Sequence, residues 1–374
     1  MAVVTPAQCT RKCSLTIDHT KVLETGYYPV LFDGSGDSGS FGTRLPDELF
    51  TLSQSNGGDI CFASDSAGTT QLPVELVTID TTNKKAEIWV KVNLASLSAD
   101  TVIYVFYQSN SGTLTQPAAN ATYGSQNVWS NNYQNVYHLP ASGSNVSGAD
   151  STSSVHNVDA SYCPTGAGHI GAGIYFDGSH YLNMLAISIP QSAGSISFWW
   201  KPEDVYSFNV PEAFRAYNSS GRYFDGLTAY NGILYGGWYN NSTDNRLTYS
   251  ESNFSNGTYY YITLTWTSGG YTYLYVNNNT TPVASYANTT EMWDTTTGTT
   301  WLGRYPDGSQ AFSTSYIDEW RTSTSQRSGN YNATDYNIQT STSLVTVGTP
   351  TNTATFTYKG TELAAAEYGG GEYH

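Results

Sequence analysis

The chain has 374 residues, a formal net charge of −15 and only 12% charged residues, against about a quarter in an ordinary globular protein. Its 15 Lys and Arg are scattered without a basic cluster, which argues against nucleic acid or an anionic membrane surface as partner. No stretch approaches the ~20 apolar residues of a membrane span, so membrane insertion is not expected.

The length allows two domains with proper cores, and abundant Ser, Thr, Asn, Gly and Tyr suit an all-β protein rich in turns. The N-terminus, MAVVTPAQCTRKCSLTID, lacks the apolar core of a secretory signal. Two histories fit: a leader already removed, or release by another route, such as assembly into a virus particle freed by lysis. Residues 1–13 read as an arm. Short strand signals follow at 15–18, 29–32, 60–63, 72–79, 86–94 and 102–107, separated by turns such as Ser55-Asn56-Gly57-Gly58 and Ser66-Ala67-Gly68. The one helical turn expected is 46–52. This spacing predicts a small antiparallel sandwich over 14–125. The four cysteines, Cys9, Cys13, Cys61 and Cys163, fit no zinc module. One or two disulfides, within or between subunits, and free buried thiols both suit them.

The run GGDICFASDSAGTTQLPVELVTID, then AEIWVKVNL and TVIYVFYQSN, resembles a small prokaryotic domain of unknown function. Asp59, Phe62, Leu72, Pro73, Glu75, Trp89 and Val90 match its pattern, while Gln108-Ser109-Asn110 replaces its usual Gly-Asn ending. The resemblance implies no established activity, and it implies a laminin-G-like or concanavalin A-like jelly roll next in the chain. Val128-Trp129, Val136-Tyr137-His138-Leu139 and Asp150-Ser151 resemble the entry into such a domain. GAGIYFDG at 171–178, GSISFWWKP at 194–202, a hairpin at 259–277, Trp301-Leu302-Gly303 and Tyr316-Ile317-Asp318-Glu319-Trp320-Arg321 then follow in that family's order. These place the jelly roll at 126–338, with a C-terminal tail at 339–374 in which 344–347 and 354–359 read as strands.

The stretch 258–286 carries the clearest pattern. Tyr260, Ile262, Leu264 and Trp266 alternate with Tyr259, Tyr261, Thr263 and Thr265, and after Ser268-Gly269-Gly270 Leu274 and Val276 alternate with Tyr271, Tyr273 and Tyr275. Period 2 sends the aliphatic set to a core and leaves tyrosines outside. The outer Tyr259, Tyr261, Tyr271, Tyr273 and Tyr275, with Tyr235, Trp238 and Tyr239, are candidates for contact with a glycan or a neighbouring subunit, because aromatic faces meet the CH faces of sugars and Tyr is enriched at interfaces. Plain cross-strand packing explains such a row equally well. Trp89, Trp129, Trp199, Trp266 and Trp320 sit among aliphatics and read as core.

Catalysis has little support in the sequence. A glycoside hydrolase needs two carboxylates about 5–10 Å apart, and the Glu-x-Asp-x-x-Glu strand signature is absent. Asp318 and Glu319 are adjacent, so strand geometry turns them to opposite faces. Glu251, Glu291, Asp294 and Asp307 lie in expected loops, and the six histidines form no ligand cluster by spacing. Calcium is the one cofactor considered, through Asp177 with Asp318 or through the Asp33–Asp37 loop, against local turn-holding roles for the same aspartates. Eleven Asn-x-Ser/Thr sequons, at Asn120, Asn145, Asn218, Asn240, Asn241, Asn253, Asn256, Asn278, Asn279, Asn288 and Asn332, suggest that most loops face solvent.

The expectation is therefore an all-β chain of two tandem antiparallel sandwiches, the second a jelly roll. As function, the sequence points to a non-enzymatic virion or surface structural protein built for adhesion. Its partners would be itself, other virion or surface proteins, and host-surface glycans, with the protein in the virion, outside the cell or on its surface. The alternative is a secreted carbohydrate-binding or cell-envelope protein of a bacterium or archaeon.

Overall fold

A computed structural model describes residues 1–36, 42–110, 112–184, 187, 189–203, 214–217, 222–230, 232–240, 243–288, 299–303 and 314–353. Among these, strands dominate and form two sandwiches.

In the first sandwich the hydrogen-bonded order is Val345–Val347, Cys9–Ile17, Thr101–Ser109, Cys61–Ala63, Gln71–Leu72. It packs on a second sheet of Gly26–Phe32, Lys85–Leu94 and Val74–Asp80, with Lys85–Leu94 central. Leu15, Ile17, Val30, Phe32, Ile88, Val90 and Val105 alternate inward and share one core. Residues 1–13 are not an arm. Cys9–Ile17 pairs along its length with Thr101–Ser109, and Ala2–Val3 pairs with Leu114–Thr115. Nor is the C-terminal stretch a loose tail where it is described: Val345–Val347 and Thr351–Asn352 both add to the edge of Cys9–Ile17. The strand expected at 354–359 lies outside the described residues.

The second sandwich sets an eight-stranded sheet against a six-stranded one. The larger runs Thr165–Ala167, Ala172–Asp177, Thr314–Ser323, Ala193–Pro202, Tyr260–Thr267, Tyr271–Val276, Ala284–Ala287, with Tyr133–Tyr137 also on Thr314–Ser323. The smaller runs Leu182–Asn183, Thr299–Leu302, Phe214–Tyr217, Arg222–Tyr230, Ile233–Asn240, Thr243–Ser250. Between them lie Ile262, Leu264, Trp266 and Leu274 from the expected inner face, met by Phe224, Leu234, Trp238 and Leu247 from the opposite sheet. Each such side chain contributes roughly 1.5–3 kcal/mol when fully buried.

Helix Asp47–Leu52 falls where the sequence suggested, but Gly329–Thr340 is a helix the strand-rich pattern did not predict. Ser328 caps it, its hydroxyl accepting from Tyr331 N at 3.0 Å. The helix is wedged between the sandwiches. One side meets the outer face of the eight-stranded sheet, where Trp199 Nε1 donates to Gln339 Oε1 at 2.8 Å and Tyr261 OH to Asp335 Oδ2 at 2.5 Å. The other side meets the first sandwich, where Tyr331 stacks on Tyr28 at 4.6 Å and Leu23 N donates to Thr334 Oγ1 at 2.8 Å. Because it is covered on both sides, it lacks the one-sided apolar stripe that marks a surface helix.

Candidate functional site

The helix divides the expected aromatic set. Tyr261 is fully buried beneath it, and Tyr275 is also buried, near the helix start at Gly329. Neither is available to a glycan or a second subunit. Tyr259 is half-buried and donates its hydroxyl to Ala167 O at 2.5 Å. Tyr271 remains exposed and stacks on the half-buried Tyr273 at 5.5 Å, with the rings only 12° apart.

On the six-stranded sheet the parity of Ile233–Asn240 turns Trp238 into the core, only 2% exposed, so it is not a surface platform. Tyr235 and Tyr239 face the other way and flank Arg246 of the next strand, whose guanidinium lies 4.4 Å from one ring centroid and 5.4 Å from the other. Asp244 holds that guanidinium through Nε and Nη2 at 2.8 and 2.7 Å, and Asp225 accepts from Nη1 at 2.8 Å. Register places Asp225, Gly237 and Arg246 side by side across three strands. The result is an aromatic and charged cluster in which Asp244 is partly open to solvent while Asp225 and most of Arg246 are buried. Burial works against ionisation of Asp244, but Arg246 outweighs it and lowers its pKa, so this carboxyl is not a proton donor at neutral pH.

A second cluster, which spacing in the sequence did not suggest, lies between the sandwiches. His138 is 3% exposed and meets carboxylates on both ring nitrogens. Nδ1 lies 2.6 Å from Glu319 Oε1 and 3.2 Å from Glu87 Oε1, and Nε2 lies 3.2 Å from Glu75 Oε2. Trp89 Nε1 donates to Glu87 at 3.1 Å, Ser151 Oγ to Glu75 at 2.6 Å, and Trp129 Nε1 also to Glu75. Arg321 joins Glu319 at 2.6 Å and Asp335 at 3.3 Å, its guanidinium over Trp89 at 4.5 Å and Trp129 at 4.9 Å. Burial alone would favour neutral imidazole, but Glu319 and Glu75 outweigh it and hold His138 protonated. Glu319 is likewise pulled down to about 2 against its burial, by His138 and Arg321, while burial pushes Glu87 up to about 7. Glu87, His138 and Glu319 also bring three ligand-type atoms within 4.8 Å of one another, the group among the buried described residues that could hold a metal ion.

Two sequence expectations fail at this cluster for one reason. Between Ser197 and Trp199 the pairing with Thr314–Ser323 shifts by a residue, and Glu319 takes φ of +52°. This bulge breaks the parity of the strand. Trp320 still reaches the core of the jelly roll, while Asp318 and Glu319 both join the buried polar layer outside it. The same burial removes Asp318 from any calcium site with Asp177. Asp318 accepts from the backbone N of Ile170 and of Glu319, each at 2.8 Å, whereas Asp177 pairs with Thr314, four residues away along the strand, and holds its own turn through Ser179 N at 2.9 Å. Asp33 is buried beside Arg44 at 3.8 Å, and Asp37 lies outside the described residues. All four cysteines are buried and free in the structure. Asn288 and Asn332 are buried too, so their sequons do not mark open loops.

Residues 56–132 match the model of the domain of unknown function DUF2341, and residues 176–330 match that of the concanavalin A-like lectin/glucanases superfamily. The chain carries a DUF2341 domain followed by a concanavalin A-like domain. The DUF2341 pattern residues Glu75 and Trp89 are therefore the ones that face His138 and Arg321. No curated protein matches the sequence. Among solved structures, the receptor binding domain of botulinum neurotoxin D is 18% identical with a TM-score of 0.41, over 56% of this chain and 53% of that one. Domain 4 of AbnA, a GH43 extracellular arabinanase from Geobacillus stearothermophilus solved with arabinotriose, is 17% identical at 0.41, over 55% and 97%. The binding domain of Paraclostridial Mosquitocidal Protein 1 is 12% identical at 0.43, over 55% and 52%. The chain thus spans about half the length of the first and third of these solved chains.

Proposed function

We propose that the protein is a non-catalytic adhesion protein of a virion or cell surface, and that its concanavalin A-like domain binds glycans on the outer face of the six-stranded sheet. The observation that carries this reading is the Arg246 guanidinium held between Tyr235 and Tyr239 by Asp225 and Asp244. Two half-buried rings held in place by Arg246 offer their remaining faces to a sugar, and the partly open Asp244 offers hydrogen bonds to its hydroxyls. Such a face costs little conformational entropy on binding because its members are already ordered.

Support for a non-catalytic role comes from the acids. A glycosidase needs one protonated and one ionised carboxyl flanking an open cleft. Among the described residues Glu87 and Asp318 are the carboxyls pushed towards the neutral form, and both are buried between the domains. Low charge and the polar, tyrosine-rich composition suit an exposed assembly component.

The test is a glycan array with the intact chain, followed by titration calorimetry on the best ligand. Tyr235→Ala and Tyr239→Ala should each weaken binding at least tenfold, with Tyr271→Ala close to the parent. An empty array, or binding that survives both substitutions, overturns the assignment. Recovery of the chain as a repeating subunit in purified particles would support the virion role over a secreted carbohydrate-binding or cell-envelope protein.

A further inference from the structure

The concanavalin A-like domain has a candidate ligand face, whereas the DUF2341 domain has so far only a fold. We propose that the DUF2341 domain is a docking socket whose Glu75–Glu87–Trp89 face receives the His138 ring and the Arg321 guanidinium of the domain that follows it.

The socket is built on the three-stranded sheet. Glu75 stands opposite Trp89 in the register of Val74–Asp80 with Lys85–Leu94, and Glu87 lies two residues before Trp89 on the same face. Ala86 to Val90 are all buried, so both faces of this sheet are sealed. One face is sealed by the domain's own second sheet. The other is covered partly by the domain's own Trp129, 5.5 Å from Trp89, and partly from beyond residue 132, where His138 lies 5.7 Å from Trp89 and Arg321 lies over its ring. Without that cover the socket would expose Trp89, Trp129 and a Leu31 that is otherwise fully buried.

Charge makes the match specific. The socket presents Glu75 and Glu87 to His138 and the ring of Trp89 to Arg321, with Glu319 bridging His138 and Arg321 on the incoming side and Asp335 also holding Arg321 there. Apart, Glu75 and Glu87 lose their contacts with His138, and His138 keeps only Glu319. The partner this socket fits is therefore a jelly roll with a histidine after its entry strand and a Glu-x-Arg pair on a bulged strand. Here that partner is supplied by the same chain. The shared core, which joins Val30 and Trp89 to Trp129, Val136, Tyr331 and Ile338, completes the seal.

The consequence is cooperative unfolding, read by scanning calorimetry of the full chain together with hydrogen exchange. The parent should give one transition, and the amides of Lys85–Leu94 and Thr314–Ser323 should share one opening rate. Glu75→Lys, which sets a cation against His138, should split the trace into two transitions and lower protection on both sides. Glu75→Gln should give an intermediate loss. Two separated transitions in the parent, which needs no variant to fold, overturn the proposal, as does a Glu75→Lys trace identical to the parent's. A chelator arm distinguishes the other occupant. If dialysis against EDTA splits the parent's transition and Zn²⁺ or Mn²⁺ restores it, a metal at Glu87, His138 and Glu319 holds the domains together and the cation-pair reading fails.

Discussion

His138 Nδ1 stands 2.6 Å from Glu319 Oε1, although 181 residues separate them in the chain. Both are almost wholly removed from water, and each is tied to a second charged group, Glu75 for the histidine and Arg321 for the carboxylate. Glu319→Gln would leave an imidazolium and a guanidinium buried with one strong acceptor fewer. Removing one partner of a buried pair costs about 3–5 kcal/mol, and urea denaturation should show a loss of that size. A loss below about 1 kcal/mol, the scale of an exposed pair, would mean that Glu319 is not the anchor of the cluster.

Glu87 makes the pH response of the interface specific. Burial raises its folded pKa to about 7 from an ordinary 4.5, against the pull of His138, with Glu319 adding to the rise. A raised acid contributes stability that is present below the unfolded pKa and lost as pH climbs towards the folded one, here between 4.5 and about 7. The protonated His138 also favours the low-pH side, since its advantage fades as pH rises above the ordinary histidine value. His169, lowered by burial to about 4, acts with the opposite sign between about 4 and 6.5. The readout is therefore the difference between Glu87→Gln and the parent. That difference should grow in favour of the variant by up to about 3 kcal/mol from pH 5 to 8. A constant difference across the range would place the proton elsewhere.

The two halves of the tyrosine row should respond differently to truncation. Tyr261→Ala removes a ring buried against the helix and the bond to Asp335, and should cost about 3–5 kcal/mol, as other large core truncations do. Tyr261→Phe, which keeps the ring, should cost about 1.5–3 kcal/mol for a bond to a charged acceptor. Tyr273→Ala should cost only about 0.5–1.5 kcal/mol, the scale of one aromatic pair. Thermal denaturation of the three variants orders them, and equal losses at Tyr261 and Tyr273 would contradict the helix cover.

The thiols should be silent in the native protein. Burial pushes Cys13 up to about 11 and Cys163 up to about 12, and it raises Cys61 as well, with Cys9 beside it adding to the rise. The thiolate is the reactive form. Iodoacetamide at pH 8 should label none of the four cysteines in the folded chain and all four in guanidinium, as read by mass spectrometry. Rapid native labelling of any one would show that its site opens.

Much of the fold was legible because strand periodicity is local. Ile262, Leu264, Trp266, Leu274 and Val276 declared their inner face by alternation alone, and all of them lie in the jelly-roll core. Trp238 was misplaced because its neighbours Tyr235 and Tyr239 suggested one aromatic platform, whereas alternate positions of a strand face opposite ways. The helix Gly329–Thr340 gave little warning, because a helix buried on two sides needs no amphipathic stripe. Parity also failed at Asp318 and Glu319, where a single residue with positive φ inserts a bulge.

By itself the sequence determined the strand pattern and most of the core side chains, since these follow from a period of two and from turn residues a few positions apart, while the order of the two domains followed from the family resemblance. Only the tertiary structure decided which outer surfaces stay open and where the charges meet. Alternation says which side of a sheet a residue takes, but what covers that side comes from elsewhere in the chain. In this protein a helix beginning at Gly329 closes over Tyr261, and a histidine at 138 reaches carboxylates at 75, 87 and 319.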